Sequence, residues 1–211
     1  IRMKKEGGMK MNEFYEDLMC PVVYRWVKNH EGVKICHNKC CTLWIDNGDI
    51  YGVIEFHDEN IVELTVKDTK SHENIFYLHF QMHDMNSSLQ QFNTFFHYLT
   101  TPSSEHHDMN VHQTDIKKIL LSCSGGLTTS YFAYSIQEMM NHRDLGIQVD
   151  AVGYSDIDNV ANEYDIILLA PQIAYMLPEY REKYGNKVMT IETVDFATSD
   201  FEGIIQKALN S

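Results

Sequence analysis

The sequence predicts an α/β second half built on a four-stranded parallel sheet with helices on both faces, preceded by an α+β first half with an antiparallel sheet. Three observations predict it. From about Ile116 onward, short apolar runs alternate with longer amphipathic stretches, the texture of repeated strand–helix units. Before Leu99 the apolar runs are instead joined by short turn-forming breaks, as in a meander. Between the halves, TTPSSEHHDMNVHQTD (100–115) has almost no apolar content and reads as a linker. The expected division is therefore 1–99, 100–115 and 116–211.

The first half opens with a helix from Asn12 to Lys28, followed by KCCTLWID, IYGVIEF, NIVELTVK and ENIFYLHFQM as strands. A helix from Ser88 to Tyr98 closes it, with Phe76, Tyr77, Phe80, Phe92, Phe95 and Phe96 as its core. In the second half KILLS (118–122), IQVDAVGY (147–154), DIILLA (165–170) and KVMTIE (187–192) read as buried strands. Helical segments run from Thr128 to Asn141, Ser155 to Asn162, Gln172 to Tyr184 and Ser199 to Leu209.

Bulk properties exclude several functions. Seventeen Lys plus Arg against 30 Asp plus Glu, with no basic window, argue against nucleic acid. The longest apolar runs, such as IILLA (166–170), fall far short of the roughly 20 residues that cross a bilayer. With no secretory leader in sight, the expected place is the cytoplasm. The chain opens on Ile1, and Met3, Met9 and Met11 are candidate starts. Five cysteines, four of them within the first 41 residues, make no disulfide framework. Cys36, His37, Cys40 and Cys41 are close together, but CHNKCC follows no regular zinc spacing.

Cys123 is the residue that asks for chemistry. It stands at the carboxyl end of the first parallel strand, the edge where open α/β sheets bind ligands. Ser124, Gly125, Gly126 and Leu127 form the following loop, and Thr128, Thr129 and Ser130 open a helix whose positive end faces the same point. That is an anion cradle around a thiol, suited to a sulfur nucleophile and to a tetrahedral phosphoryl group carried on it. The alternative is a buried strand-end cysteine before an ordinary turn, and spacing alone weighs the two evenly. Cysteine phosphatases place an Arg six residues after the nucleophile; here that residue is Thr129 and no Arg lies in the loop. A cradle of N–H and hydroxyl groups suits reversible handover better than hydrolysis.

KKILLSCSGGLTTS together with DIILLAPQIAYMLPEYREKYGNKV resembles the IIB component of the bacterial sugar phosphotransferase system, lactose/cellobiose class, nearer the cellobiose side, over about 116–210. The resemblance implies strand order 2-1-3-4, Cys123 as nucleophile and phosphoryl carrier, and Ser124 to Ser130 as the phosphate-binding loop. It places Pro171, Gln172 and Tyr175 beside that loop, and calls for no metal or cofactor. Its implied partners are a IIA component that donates from a phosphohistidine and a membrane IIC component that presents the sugar, a β-glucoside such as cellobiose. Leu127 stands where Met is common, a mild departure. Residues 1–110 resemble no family. Ten of the eleven histidines precede the thiol domain, yet a fused IIA donor is a poor fit because that partner is a helical bundle. The runner-up function is a regulatory protein that senses phosphotransferase status through a IIB-like domain. A redox thiol is poorer still, because Cys123 has no resolving cysteine nearby.

Overall fold

The computed structural model describes residues 11–36, 39, 41–101, 115–125 and 127–211. His37 and Cys40 of the cysteine cluster, Gly126 of the loop and 102–114 of the linker lie outside the described residues.

The first half begins with α1 (Met11–Lys28), which turns Met19, Val23 and Val27 inward at a helical spacing of four. Five strands follow, β1 (Val33–Ile35), β2 (Thr42–Asp46), β3 (Ile50–Phe56), β4 (Ile61–Asp68) and β5 (Asn74–Gln81), each antiparallel to the next in chain order. The expected meander is present with one strand more than the sequence suggested. The three-residue β1 is too short for an alternating pattern, and KCCTLWID enters the sheet only at Thr42.

Alternation then decides what is buried. On β3, Ile50, Gly52, Ile54 and Phe56 face inward; on β5, Phe76, Leu78 and Phe80 do. Tyr77, expected in the core, lies between Phe76 and Leu78 and so points to the opposite, solvent side at 42% exposure. Helix α2 (Met85–Thr100) covers the inner face with Phe92, Phe95, Phe96 and Leu99. It starts where the Asp84 carboxylate accepts the Ser87 N–H at 2.9 Å.

The second half is the predicted parallel sheet, made of β6 (Lys118–Cys123), β7 (Gln148–Gly153), β8 (Ile166–Leu169) and β9 (Val188–Thr190). Its order is β7-β6-β8-β9, which is the 2-1-3-4 order expected. Strand β6 is central, so it is buried from Ile119 to Cys123, apolar throughout except for Ser122. Ile119, Leu121 and Cys123 face one apolar layer with α3 (Leu127–His142), α6 (Thr193–Thr198) and α7 (Phe201–Leu209). Leu120 faces the other, with α4 (Ile157–Val160) and α5 (Leu177–Tyr184).

Two helices differ from expectation. The Ser155 to Asn162 segment is a short α4 between 3-10 turns, and Pro171–Met176 is a 3-10 segment kinked at Ile173 before α5 begins. Helix α6 is additional: Ser199 adopts a left-handed φ of 57° that ends it and lets α7 start afresh at Phe201.

Asp165, just before β8, ties the start of β6: its carboxylate accepts the backbone N–H groups of Lys117 at 2.7 Å and Lys118 at 2.9 Å. These bonds hold its pKa below the ordinary carboxylate value. A lowered acid stabilises the fold above its unfolded pKa, and that stability is lost as pH falls through the folded value. Urea midpoints should therefore show wild type ahead of Asp165→Asn at neutral pH by about 0.5 kcal/mol, small because the group is exposed. The gap should close below about pH 4. A gap that persists unchanged into acid would remove the charge from the explanation.

Candidate functional site

Cys123 is the last residue of β6, paired with Gly153 of β7 and buried at 4% exposure. Strand alternation turns its side chain to the face covered by α3, and the first turn of α3 brings Thr129 to it. Cys123 Sγ and Thr129 Oγ1 are 3.2 Å apart, and Thr129 is fully buried. The hydroxyls that the sequence grouped together thus divide. Successive helical residues are rotated by about 100°, so Thr129 faces the sulfur while Thr128 and Ser130 are exposed. Ser124 and Gly125 are exposed above the thiol. A Cβ on Gly125 would meet nothing within 4 Å, and its φ is not left-handed. Neither packing nor backbone strain therefore requires glycine at this position, and the space above the loop stays open.

The second predicted wall follows β8. Ser122 pairs with Leu169, and the Ala170 N–H donates to the Ser122 carbonyl at 2.8 Å, so Pro171 emerges beside the thiol's strand end. Pro171 is buried and Tyr175 exposed. Partial desolvation of its hydroxyl, with Tyr154 nearby, raises the Tyr175 pKa above its ordinary value. Ser122 Oγ and Gln172 Oε1 are buried polar atoms without a hydrogen-bond partner. The large apolar side chains exposed on this half, among the described residues, are all tyrosines: Tyr131, Tyr134, Tyr154 and Tyr175. Tyr131 and Tyr134 lie on the first two turns of α3, Tyr154 follows β7 and Tyr175 follows β8.

The first half reaches this edge, a contact that sequence reasoning missed. Gln91 of α2 is buried, with its Nε2 donating to the Pro171 carbonyl at 3.4 Å and its Oε1 accepting from the Thr193 hydroxyl at 2.8 Å. The His83 ring lies 5.0 Å from that of Tyr175. One available signal was a buried-spaced amide in the otherwise apolar stripe Gln91, Phe92, Phe95, Leu99.

Among the described residues, no group of three or more His, Cys, Asp or Glu could hold a metal ion. Nor is any helix among them long and apolar enough to cross a membrane.

Fold and site together define a doubly wound α/β domain with a thiol at the switch edge of its central strand. Residues 118–207 match the family described as PTS system, Lactose/Cellobiose specific IIB subunit. The oligo-beta-mannoside-specific EIIB component of the PTS system of Bacillus subtilis (strain 168) is 26% identical over 98 residues, covering 45% of this chain and 95% of that protein. Two solved structures are also similar. The lactose-specific IIB component domain of the phosphoenolpyruvate:carbohydrate phosphotransferase system from Streptococcus pneumoniae is 24% identical, over 46% of this chain and 93% of its own, with a TM-score of 0.38. The cellobiose-specific phosphotransferase IIB component protein from Borrelia burgdorferi is 27% identical, over 44% and 89%, with a TM-score of 0.39. The resemblance carried by the thiol loop and the 165–188 stretch is borne out, and it concerns the second half of the chain.

Proposed function

We propose that this protein is a phosphoryl carrier of sugar uptake, with Cys123 as the group that carries the phosphoryl. The observation that bears most weight is the buried thiol at the carboxyl end of the central strand, 3.2 Å from a helix-opening hydroxyl and close to the open space at Gly125. In the first step the sulfur attacks phosphorus on a IIA phosphohistidine; the S–P bond forms as the N–P bond breaks, and the imidazole takes up a proton. In the second step a sugar hydroxyl held by a IIC partner attacks the phosphorus; the O–P bond forms as the S–P bond breaks, and the hydroxyl proton passes to a base of that partner or to water as the thiolate departs. Backbone N–H groups of 124–127 and the hydroxyls of Thr128 and Ser130 are the expected donors to the phosphoryl oxygens. Pro171, Gln172 and Tyr175 form the neighbouring wall. Residues 116–211 make up the transfer domain, and 1–99 are an added module.

Thr129 has a different role from its neighbours in this scheme, holding the sulfur rather than the phosphate. Replacing it by Val, which keeps the shape and removes the oxygen, should slow phosphorylation of Cys123 by about tenfold, the worth of roughly one hydrogen bond. Thr129→Ser should retain most of the rate. Equal rates for Thr129→Val and wild type would mean that the 3.2 Å contact is incidental.

The regulatory reading is favoured by one observation, the packing of Gln91 and His83 against the wall of the site. Intact-mass analysis after incubation with the general phosphotransferase enzymes, a lactose/cellobiose-class IIA protein and phosphoenolpyruvate separates the two. The carrier reading expects the gain of one phosphoryl group, discharged by a IIC partner and sugar. A phosphorylated chain that no IIC-and-sugar pair discharges would favour the sensor.

A further inference from the structure

The antiparallel half meets the parallel half at the same sheet edge that holds Cys123. Pro171 follows β8 and Thr193 opens the helix after β9, so both stand at carboxyl ends of neighbouring strands. One side chain from the other half ties them together. Gln91 sits in the buried stripe of α2 and uses both ends of its amide across the interface, on the Pro171 carbonyl at 3.4 Å and the Thr193 hydroxyl at 2.8 Å. A buried amide bonded through both its nitrogen and its oxygen specifies one geometry more sharply than apolar contact does. From Pro171 the connection to the thiol is short. Its neighbour Ala170 donates to the Ser122 carbonyl, one residue before Cys123. At the far end of the same 3-10 segment, the His83 ring lies against Tyr175. Two side chains of the first half therefore hold Pro171–Met176 at its start and near its end.

We propose that the first half is a fixed brace of the thiol site, with Gln91 as the positioning residue that sets the Pro171–Met176 segment beside Cys123. The inference rests on the phosphoryl-transfer reading. Reactions of this kind depend on placement more than on covalent chemistry, and a shift of about 1 Å in a site wall can cost up to a hundredfold in rate. Gln91 touches neither sulfur nor phosphoryl in this scheme; it acts through Pro171.

The test uses the full chain and a lactose/cellobiose-class IIA donor recharged from phosphoenolpyruvate, with Cys123 phosphorylation followed by intact mass over a range of donor concentrations. Gln91→Ala should lower kcat by about tenfold with little change in KM for the donor, because placement beside the sulfur is lost while Tyr131, Tyr134 and Tyr154, which lie outside the braced segment, keep the outer surface. Thr193→Val should do the same, and Thr193→Ser, which keeps the hydroxyl, should turn over as wild type does. Thermal midpoints are read alongside, and if Gln91→Ala does not fold, the Thr193 pair decides the matter alone. Wild-type turnover in both Gln91→Ala and Thr193→Val overturns the brace, and so does a loss confined to KM, which would make this half a docking surface instead. A wild-type chain that accepts no phosphoryl group overturns the transfer reading itself, and with it this inference. That failure is distinct from variants matching an active wild type.

Discussion

Cys123→Ser should abolish the gain of a phosphoryl group completely while leaving the fold intact. The substitution replaces sulfur by oxygen at a buried strand end, with Thr129 still 3.2 Å from the original sulfur position to receive a hydrogen bond. Packing hardly changes, but a serine hydroxyl is a far weaker nucleophile than a cysteine sulfur. Thermal midpoints of the two chains should therefore agree within a few degrees, whereas the mass shift seen in wild type disappears. Alkylation of wild type at Cys123 before incubation should block the gain as well. A phosphoryl group still gained by Cys123→Ser would locate it elsewhere, and a histidine of the first half, such as His83 beside Tyr175, would be the next residue to examine.

How much of this was legible in the sequence varies with the physics behind each feature. The parallel sheet was readable because its two central strands are buried on both sides, so Ile119 to Leu121 and Ile166 to Leu169 form short unbroken apolar runs. Tyr77 was misread because an aromatic residue in a strand suggests a core position, whereas alternation with Phe76 and Leu78 sends it outward. Ser199 illustrates a different limit. The expected helix began at Ser199 and corresponds to α7, whereas the six-residue α6 before it, ended by the left-handed φ of Ser199, is too short to show a periodic apolar pattern and was not foreseen.

At the site, the sequence located the thiol and its loop but treated Thr128, Thr129 and Ser130 as one group. Only the helical rotation after Leu127 separates the inward Thr129 from its exposed neighbours. Contacts from Gln91 to Pro171 and Thr193 span 80 and 102 residues of sequence, and periodicity carries no information about such long-range pairings. The same contacts change the interpretation of the first half. An added module joined only by a linker would leave the IIB-like domain as it is in isolation, whereas here buried residues from both sheets form one continuous apolar cluster. That makes any function of the second half sensitive to the packing of the first.

In the first half, Gly52 leaves no room for a side chain, and the second large effect is expected there. Gly52 lies on β3 between Ile45 and Val66 of the flanking strands, directly beneath α2. A Cβ at this position would come within 2.7 Å of Phe95 Cζ, 2.8 Å of Leu99 Cδ1 and 2.9 Å of Ile45 Cγ2, all closer than real side chains approach. Its φ is not left-handed, so the demand for glycine comes from space alone. Gly52→Ala should cost about 1–3 kcal/mol by overpacking, and Phe95→Ala about 3–5 kcal/mol by the cavity it leaves. The double variant should be less unstable than the sum, by about 1 kcal/mol, because removing the ring relieves the nearest of the three clashes and leaves those with Leu99 and Ile45. Urea unfolding of the four chains measures this directly. Strict additivity would show that the helix moves away from the sheet as a body, in which case the strain would reach Gln91 one turn earlier on α2, and phosphorylation of Cys123 should slow in Gly52→Ala as well.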